Sequence, residues 1–232
     1  MRRVARAAPD GYTVVFANSS TTTINLALHP NAGYEPLKEF VPVGMLASTS
    51  IGIIAHPSFP AKTIPELIAL AKKEPGKLNI GTSVPGSGSY LAAEMFKARA
   101  GIDVSLVPYK GSAPAMADLL GGHVQLTFDN MLTVLPQVKA GALKMLAVST
   151  GKRWPSVPDV PTLAESGVPG YDYSSWVGML APARTPGAIV NRLWNESAKA
   201  ARSEEMRKKL EQQGSAGAAP APAAPAASAA PK

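Results

Sequence analysis

The chain has 232 residues, of which 46% are hydrophobic and 17% charged, so it is long enough for one large α/β domain or two lobes around a hydrophobic core. It has no cysteine, which excludes disulfides and thiolate chemistry. The net charge of +7 lies largely near the two ends and aromatic residues make up only 6%, a pattern that argues against a nucleic-acid partner.

The first 60 residues contain strand-like runs separated by polar segments. Residues 12–17 read as a buried strand, a polar run follows at 18–23, and two further strands are predicted at 41–47 and 51–55. The opening Met1-Arg2-Arg3 resembles the basic start of an export signal, but no apolar stretch follows, so we expect no export signal in this chain. No segment approaches the roughly 20 apolar residues that span a bilayer, so direct membrane insertion is not expected.

Strands and helices alternate from residue 63 onward. Thr63 and Glu66 have the spacing of a capping box at the start of a helix. The pattern then predicts, in order, a helix to residue 76, a strand at 77–82, a helix from Ser89 to Gly101, a strand at 104–108, a helix capped by Ser112, a strand at 123–128, a short helix ending at Gly141, a strand at 143–149, a strand at 176–182, a helix to about residue 201 and a last helix at 204–213. Short connections between these elements predict a parallel sheet with helices on both faces. The Ala/Pro-rich residues 214–232 are predicted to be a disordered tail.

The most informative segment is the Gly/Ser loop, residues 81–89, with the sequence GTSVPGSGS. It lies between a predicted strand and a predicted helix, so its backbone N–H groups and hydroxyls are suited to holding an anion. Gly81 and Gly86 have the spacing of a phosphate loop, but Ser87 and Gly88 stand where Lys and Ser/Thr are required. The dinucleotide pattern also fails, because Leu91 replaces its third glycine. A carboxylate cradle, a structural turn and a nucleotide site therefore stay open, and the carboxylate cradle is favoured.

Other candidate chemistries lack a supporting pattern. No serine has the flanking glycines of a nucleophile elbow, and the three histidines have neither a nucleophile partner nor metal-ligand spacing. Asp129 is the one acid at the predicted carboxyl edge, where we expect it to cap a helix or to orient Asn130 rather than to act as a general base. Lys110 either pairs with an anionic ligand or is solvated. We predict no catalytic residue, no metal and no cofactor.

The residues resemble a known family along most of the chain. The matching segments include ARAAPDGYTVVFANSS, PGKLNIGTSVPGSGSYLAAEMFKARAG, VPYKGSAPAMADLLGGHVQLTFDN and PDVPTLAESGVPGYDYSSWVGMLAPARTP, which run collinearly over about residues 5–213. They are similar to the substrate-binding proteins of tripartite tricarboxylate transporters, the Bug or TctC-like receptors. The resemblance implies a periplasmic, two-lobed flytrap fold that is not an enzyme and that delivers a small carboxylate to membrane permease subunits.

The resemblance also implies lobe boundaries and site residues. The first lobe is expected at 1–50 and 171–213 and the second at 51–170. The first lobe is expected to be incomplete, because family members begin with an export signal, a strand and a Pro/Gly-rich loop and end with a further helix. The ligand-binding residues carried over are Asn18, Ser19 and Ser20 in the first lobe, and Thr82, Ser83, Gly86, Ser87, Tyr109, Gly111, Phe128 and Asp129 in the second. The alternatives are a truncated, non-binding or repurposed fragment of that family, and a phosphate-loop enzyme.

Overall fold

The computed structural model describes residues 1–217. The strands are β1 (Val15–Ala17), β2 (Phe40–Ala55), β3 (Asn79–Thr82), β4 (Ser105–Pro108), β5 (Leu126–Asn130), β6 (Lys144–Val148), β7 (Ser174–Pro182) and β8 (Ser215–Gly217). The helices are α1 (Arg2–Ala5), α2 (Asn25–Leu28), α3 (Pro36–Glu39), α4 (Ile64–Lys73), α5 (Gly88–Ala100), α6 (Ser112–Leu120), α7 (Met131–Lys139), α8 (Gly187–Ala201) and α9 (Glu204–Gln212), and a π-helical turn at Ser20–Ile24 precedes α2.

The long strand β2 connects two groups of strands. The predicted strands at 41–47 and 51–55 are one strand of 16 residues, with register shifts at Pro42/Gly44 and Met45/Ala47 against β7 and at Ile53/Ile54 against β6. Its first part, residues 40–50, pairs with β7, which in turn pairs with β1. Its last part, residues 51–55, lies between β5 and β6. The chain thus leaves one group of strands through β2 and enters the other without a turn.

Strand direction differs between the two groups. β3 is parallel to β4 and to β5, and β5 and β6 are both antiparallel to β2, so β3 to β6 all run the same way. The prediction of parallel strands is confirmed for these four. In the other group, β1, β2, β7 and β8 pair only antiparallel, contrary to that prediction. The reason is that the chain leaves this group through β2 and returns through β7, which places the two neighbouring strands in opposite directions.

Helices cover both faces of the sheet that contains β3, as predicted. Successive residues of a strand point to opposite faces, and Ile53 and Ile54 of β2 enter different cores. The core around Ile53 includes Phe96 of α5 and residues of α4, whereas the core around Ile54 includes residues of α6 and α7. A third, smaller core lies between β2, β7 and α8, where Trp194 packs against Val43.

Local capping rules predict some helix boundaries correctly, and two predicted boundaries differ from the structure. Thr63 caps α4 by accepting the N–H of Glu66, and Gly101 ends α5 in the left-handed conformation with φ of 60°, both as predicted. However, α5 begins one residue earlier than predicted, with Ser87 as its N-cap. The predicted cap Ser112 is wrong, because Gly111 is the N-cap of α6 and the Ser112 hydroxyl donates to a carboxylate of β5.

The predicted tail is only partly within the described residues. Residues 215–217 form strand β8 on β2, so the prediction of disorder from residue 214 is wrong for these positions. The Trp154 indole Nε1 donates to the carbonyl oxygen of Gly214 at 2.8 Å and fixes the start of that strand. The rest of the predicted tail, residues 218–232, lies outside the described residues.

A buried cluster of hydroxyl groups lies where the chain crosses between the two groups of strands. The Ser149 hydroxyl accepts the N–H of Ile51 at 2.9 Å and donates to the carbonyl oxygen of Tyr173 at 2.7 Å. The Ser50 hydroxyl lies 3.3 Å from the hydroxyls of both Ser149 and Thr150. Ser149 therefore hydrogen-bonds to both segments that connect the two groups of strands, namely residues 50–51 of β2 and residues 173–174, where the chain returns through β7.

Candidate functional site

The Gly/Ser loop is held by its own hydroxyl groups at the start of α5. The Ser87 hydroxyl accepts the N–H of Tyr90 at 3.2 Å and lies 3.2 Å from the Ser89 hydroxyl, which accepts the N–H of Ser83 at 3.1 Å. Gly86 has a φ of 87°, a conformation that favours glycine, and it lets the loop turn back toward the helix. Within residues 1–217, the hydrogen bonds that fix this loop involve hydroxyl and backbone groups and no charged side chain.

Several donors around this loop have no acceptor among the described residues. The N–H groups of Gly88 and Ser89, in the first turn of α5, point out of the helix and are unpaired within residues 1–217. The hydroxyl of Thr82, a residue only 1% exposed, is also unpaired, and so is the buried hydroxyl of Tyr173. Because the N-terminus of a helix carries a partial positive charge, this group of donors suits an acceptor with negative charge.

A cleft separates the Gly/Ser loop from the segment that contains the π-helical turn and α2. Its volume is about 400 Å³, within the usual range for small-molecule sites. Ser20, Asn25 and Leu28 line one wall, and Gly86 and Ser87 line the other. No Lys, Arg, Asp or Glu of residues 1–217 lines this cleft; its polar side chains are those of Ser20, Thr21, Asn25, His29, Tyr34 and Ser87.

The three predicted residues of the first wall differ in their roles. Ser20 lies in the cleft opposite Ser87. Ser19 is the N-cap of the π-helical turn and makes no capping bond with its side chain. Asn18 serves the turn itself, because its Oδ1 accepts the N–H of Thr21 at 3.0 Å and its carbonyl oxygen accepts the Thr22 hydroxyl at 2.8 Å.

Tyr109 and Gly111 lie at the end of β4 and shape the neighbouring loop. The N–H of Tyr109 donates to the carbonyl oxygen of Thr82 at 2.9 Å, which ties this loop to the Gly/Ser loop. The Tyr109 hydroxyl donates to Oδ2 of Asp118 at 2.7 Å. Burial, with this bond, raises the pKa of Tyr109 to about 12. The Tyr109 hydroxyl is therefore already hydrogen-bonded to Asp118, a residue of α6. Gly111 is the N-cap of the same helix.

Phe128 and Asp129 lie near the end of β5, and both side chains are buried. The Phe128 ring packs on Phe96 with centroids 5.6 Å apart, so only the backbone of Phe128 remains for a ligand. Oδ1 of Asp129 accepts the N–H of Asn130 at 2.8 Å, as predicted, and also the Ser112 hydroxyl at 2.7 Å. Burial raises the pKa of Asp129 above its ordinary value, although both hydrogen bonds act in the opposite direction.

Tyr173 lies against the Gly/Ser loop, although no sequence pattern predicts this contact. A Cβ built on Gly88 would lie 2.6 Å from the Tyr173 hydroxyl oxygen, so this hydroxyl packs directly on the first residue of α5. The two residues are 85 positions apart in sequence, and nothing in the local pattern around Tyr173 indicates that its side chain reaches the Gly/Ser loop.

Within residues 1–217, no group of three His, Asp or Glu side chains is placed to hold a metal ion. Across the same residues, every helix is too short or too polar to cross a bilayer.

Comparison with known proteins gives a consistent result. A family model described as the tripartite tricarboxylate transporter family receptor matches residues 1–222. The protein BugT of Bordetella pertussis is 36% identical over 197 residues, which cover 83% of this chain and 60% of BugT. The chain thus spans about 60% of the length of this relative.

Solved structures agree with the sequence comparison. An R. palustris protein solved with adipate superposes with a TM-score of 0.86 at 36% identity, covering 95% of this chain and 74% of that protein. MatC from Rhodopseudomonas palustris, solved with bound malate, has a TM-score of 0.80 at 32% identity, with 93% and 73% covered.

Proposed function

Because this chain belongs to the tripartite tricarboxylate transporter receptor family, whose members are periplasmic solute receptors rather than enzymes, we propose that it binds a small carboxylate. It has the two-lobed fold of periplasmic binding proteins. We place the carboxylate in the cleft between the Gly/Ser loop and the segment formed by residues 18–28. Its relatives support this class of ligand, since adipate and malate are both small dicarboxylates.

The observation that carries the proposal is the group of unpaired donors at the start of α5. A carboxylate has two acceptor oxygens and no donor, so it suits the N–H groups of Gly88 and Ser89, which are unpaired among residues 1–217 and directly follow Ser87 of the cleft wall. The cleft holds no Lys or Arg from residues 1–217, whereas a phosphate loop relies on a lysine next to its phosphate. A singly charged carboxyl group therefore fits this cradle better than a phosphate does.

The lobe assignment is part of the proposal. We propose a first lobe of residues 1–50 and 171–213 and a second lobe of residues 51–170, with the boundary where β2 changes partners from β7 to β5 and β6. Ser20 and Ser19 contribute from the first lobe, and Thr82, Ser83, Gly86 and Ser87 from the second. Asn18, Tyr109, Gly111, Phe128 and Asp129 support the walls of the site through the bonds and contacts described above.

Delivery of the bound solute to the membrane completes the proposed role. We propose that the receptor acts in the periplasm and passes its carboxylate to the permease subunits of a tripartite tricarboxylate transporter. The family description and the ligands of its relatives support this assignment.

Titration calorimetry tests the proposal with adipate, malate and citrate as ligands and inorganic phosphate as the comparison. We expect heat of binding with at least one of the three acids and none with phosphate. The absence of heat with all three acids would support instead a non-binding or repurposed fragment of the family.

A variant that carries a negative charge opposite the Gly/Ser loop tests where the ligand binds. A Cβ on Gly86 would lie 3.1 Å from Cδ1 of Leu28, so Leu28→Asp brings a carboxylate to this cleft. At ~6 Å and an effective dielectric constant of ~40, the repulsion of a bound carboxylate is ~1.4 kcal/mol, which is roughly a tenfold loss of affinity. Leu37→Asp is the matched control, because Leu37 is 99% exposed on α3 and lines no part of the cleft. Equal affinities of the two variants would place the ligand elsewhere.

A further inference from the structure

Tyr173 lies between the crossing strands and the Gly/Ser loop. Its N–H donates to the carbonyl oxygen of Ser149 at 2.8 Å, and its carbonyl oxygen accepts the Ser149 hydroxyl at 2.7 Å. Both backbone groups of Tyr173 are thus fixed by one residue. The direction of the side chain is set by this pair of bonds and by the packing of its ring against the core that contains Phe96.

The hydroxyl at the end of this fixed side chain has no partner. It is buried, and no acceptor for it exists among residues 1–217. It lies against Gly88, where even a methyl group would approach it to 2.6 Å. A buried hydroxyl without a hydrogen bond destabilises a fold, and most such groups are paired with protein, water or ligand. Because this hydroxyl packs on Gly88, the first residue of α5, an anion held at the first turn of that helix is the acceptor that it lacks among residues 1–217.

We propose that Tyr173 is a ligand-contacting residue whose hydroxyl donates a hydrogen bond to the carboxylate held at the first turn of α5. This inference rests on the proposed function and adds to it a residue outside the loops that follow β3, β4 and β5. It also connects the ligand to the crossing strands, because the same residue is bonded through Ser149 to Ile51 of β2. The anion thus touches a residue that belongs to the connection between the strand groups.

The variant Tyr173→Phe tests the inference because it removes the hydroxyl and keeps the ring. A hydrogen bond to a charged group is worth enough that its loss weakens binding roughly tenfold or more. The same change should leave the melting temperature of the ligand-free protein unchanged or raise it, because the hydroxyl that is removed has no partner among residues 1–217. A residue with a merely structural role would instead lose stability together with affinity.

Tyr90→Phe is the matched control on α5. The Tyr90 hydroxyl lies beside the Glu94 carboxylate, which is the main cause of the raised pKa of Tyr90. We expect this variant to bind adipate, malate or citrate with wild-type affinity.

The outcomes separate the inference from the proposed function. Weaker binding by Tyr173→Phe with an unchanged or higher melting temperature supports the inference. Affinity within twofold of the wild type, or a loss of affinity matched by a lower melting temperature, overturns the inference and leaves the proposed function intact. A wild-type chain that binds none of the three acids overturns both.

Discussion

The buried hydroxyl of Ser149 offers the sharpest test of how the crossing strands are held together. Ser149→Ala deletes one oxygen atom and leaves the backbone and the surrounding apolar contacts in place. The deletion removes the acceptor of the Ile51 N–H and the donor to the Tyr173 carbonyl oxygen. Ile51 and Ser149 are fully buried, so water cannot replace the acceptor of the Ile51 N–H without rearrangement of the strands.

The magnitude follows from the groups left without partners. A buried donor or acceptor that loses its only partner costs ~1–3 kcal/mol, and the N–H is the more costly of the two because a carbonyl oxygen is more easily satisfied elsewhere. We therefore expect the free energy of unfolding to fall by ~2–3 kcal/mol. In a chain of this size each kcal/mol shifts the melting temperature by ~2–4 °C, so the expected decrease is ~4–12 °C.

Thermal melts followed by circular dichroism measure this decrease. Ser58→Ala is the control, since the Ser58 hydroxyl is bonded to Nδ1 of His56 at 2.7 Å but lies on the surface, where water replaces the bond. We expect the Ser58 variant to melt within ~1 °C of the wild type. Equal melting temperatures for the two variants would refute the role assigned to Ser149.

Two further predictions concern a buried acid and a close contact. Because burial raises the pKa of Asp129 in the folded state, its charge destabilises the fold above that pKa, and this cost disappears as the pH falls and the carboxyl group is protonated. Asp129→Asn keeps an Oδ1 acceptor for the Ser112 hydroxyl, so this variant should melt at or above the wild-type temperature at pH 7. The difference in melting temperature should shrink toward pH 4, and a difference that grows on acidification contradicts the prediction. Gly44→Ala should cost ~1–3 kcal/mol, because the added methyl group collides with the Trp194 ring, whereas Gly187→Ala, in open space at the start of α8, should be neutral or slightly stabilising in the same melts.

Local sequence rules predict much of the segment from α4 to β6 because the interactions that decide it are local. The Thr63 cap and the Gly101 stop depend on residues within one helical turn, and both are confirmed. Strand β3 and the Gly/Ser loop were also found from short patterns of apolar, glycine and hydroxyl residues. The convergence of the loops after β3 and β4 follows from parallel topology and is visible in the bond between Tyr109 and Thr82.

Predictions failed where a distant partner decides the outcome. Ser112 has the residue type of an N-cap, but Asp129 of another strand takes its hydroxyl, so the cap moves to Gly111. The two strands predicted within residues 41–55 are continuous, because both neighbours needed to support one long strand come from residues more than 70 positions later in the chain. Neither partner can be identified from the local sequence.

The same limit explains why only part of the candidate site was predictable. Backbone N–H groups at a helix start are found from sequence whenever the strand, loop and helix are recognised, and this is how the Gly/Ser loop was identified. Tyr173 reaches that loop only because Ser149 fixes its backbone at the crossing between strands. A hydroxyl that lacks a partner in the folded chain is recognisable only once all its neighbours are known. The donors that are unpaired among residues 1–217, rather than the residue types, are therefore what the structure adds to the proposed site.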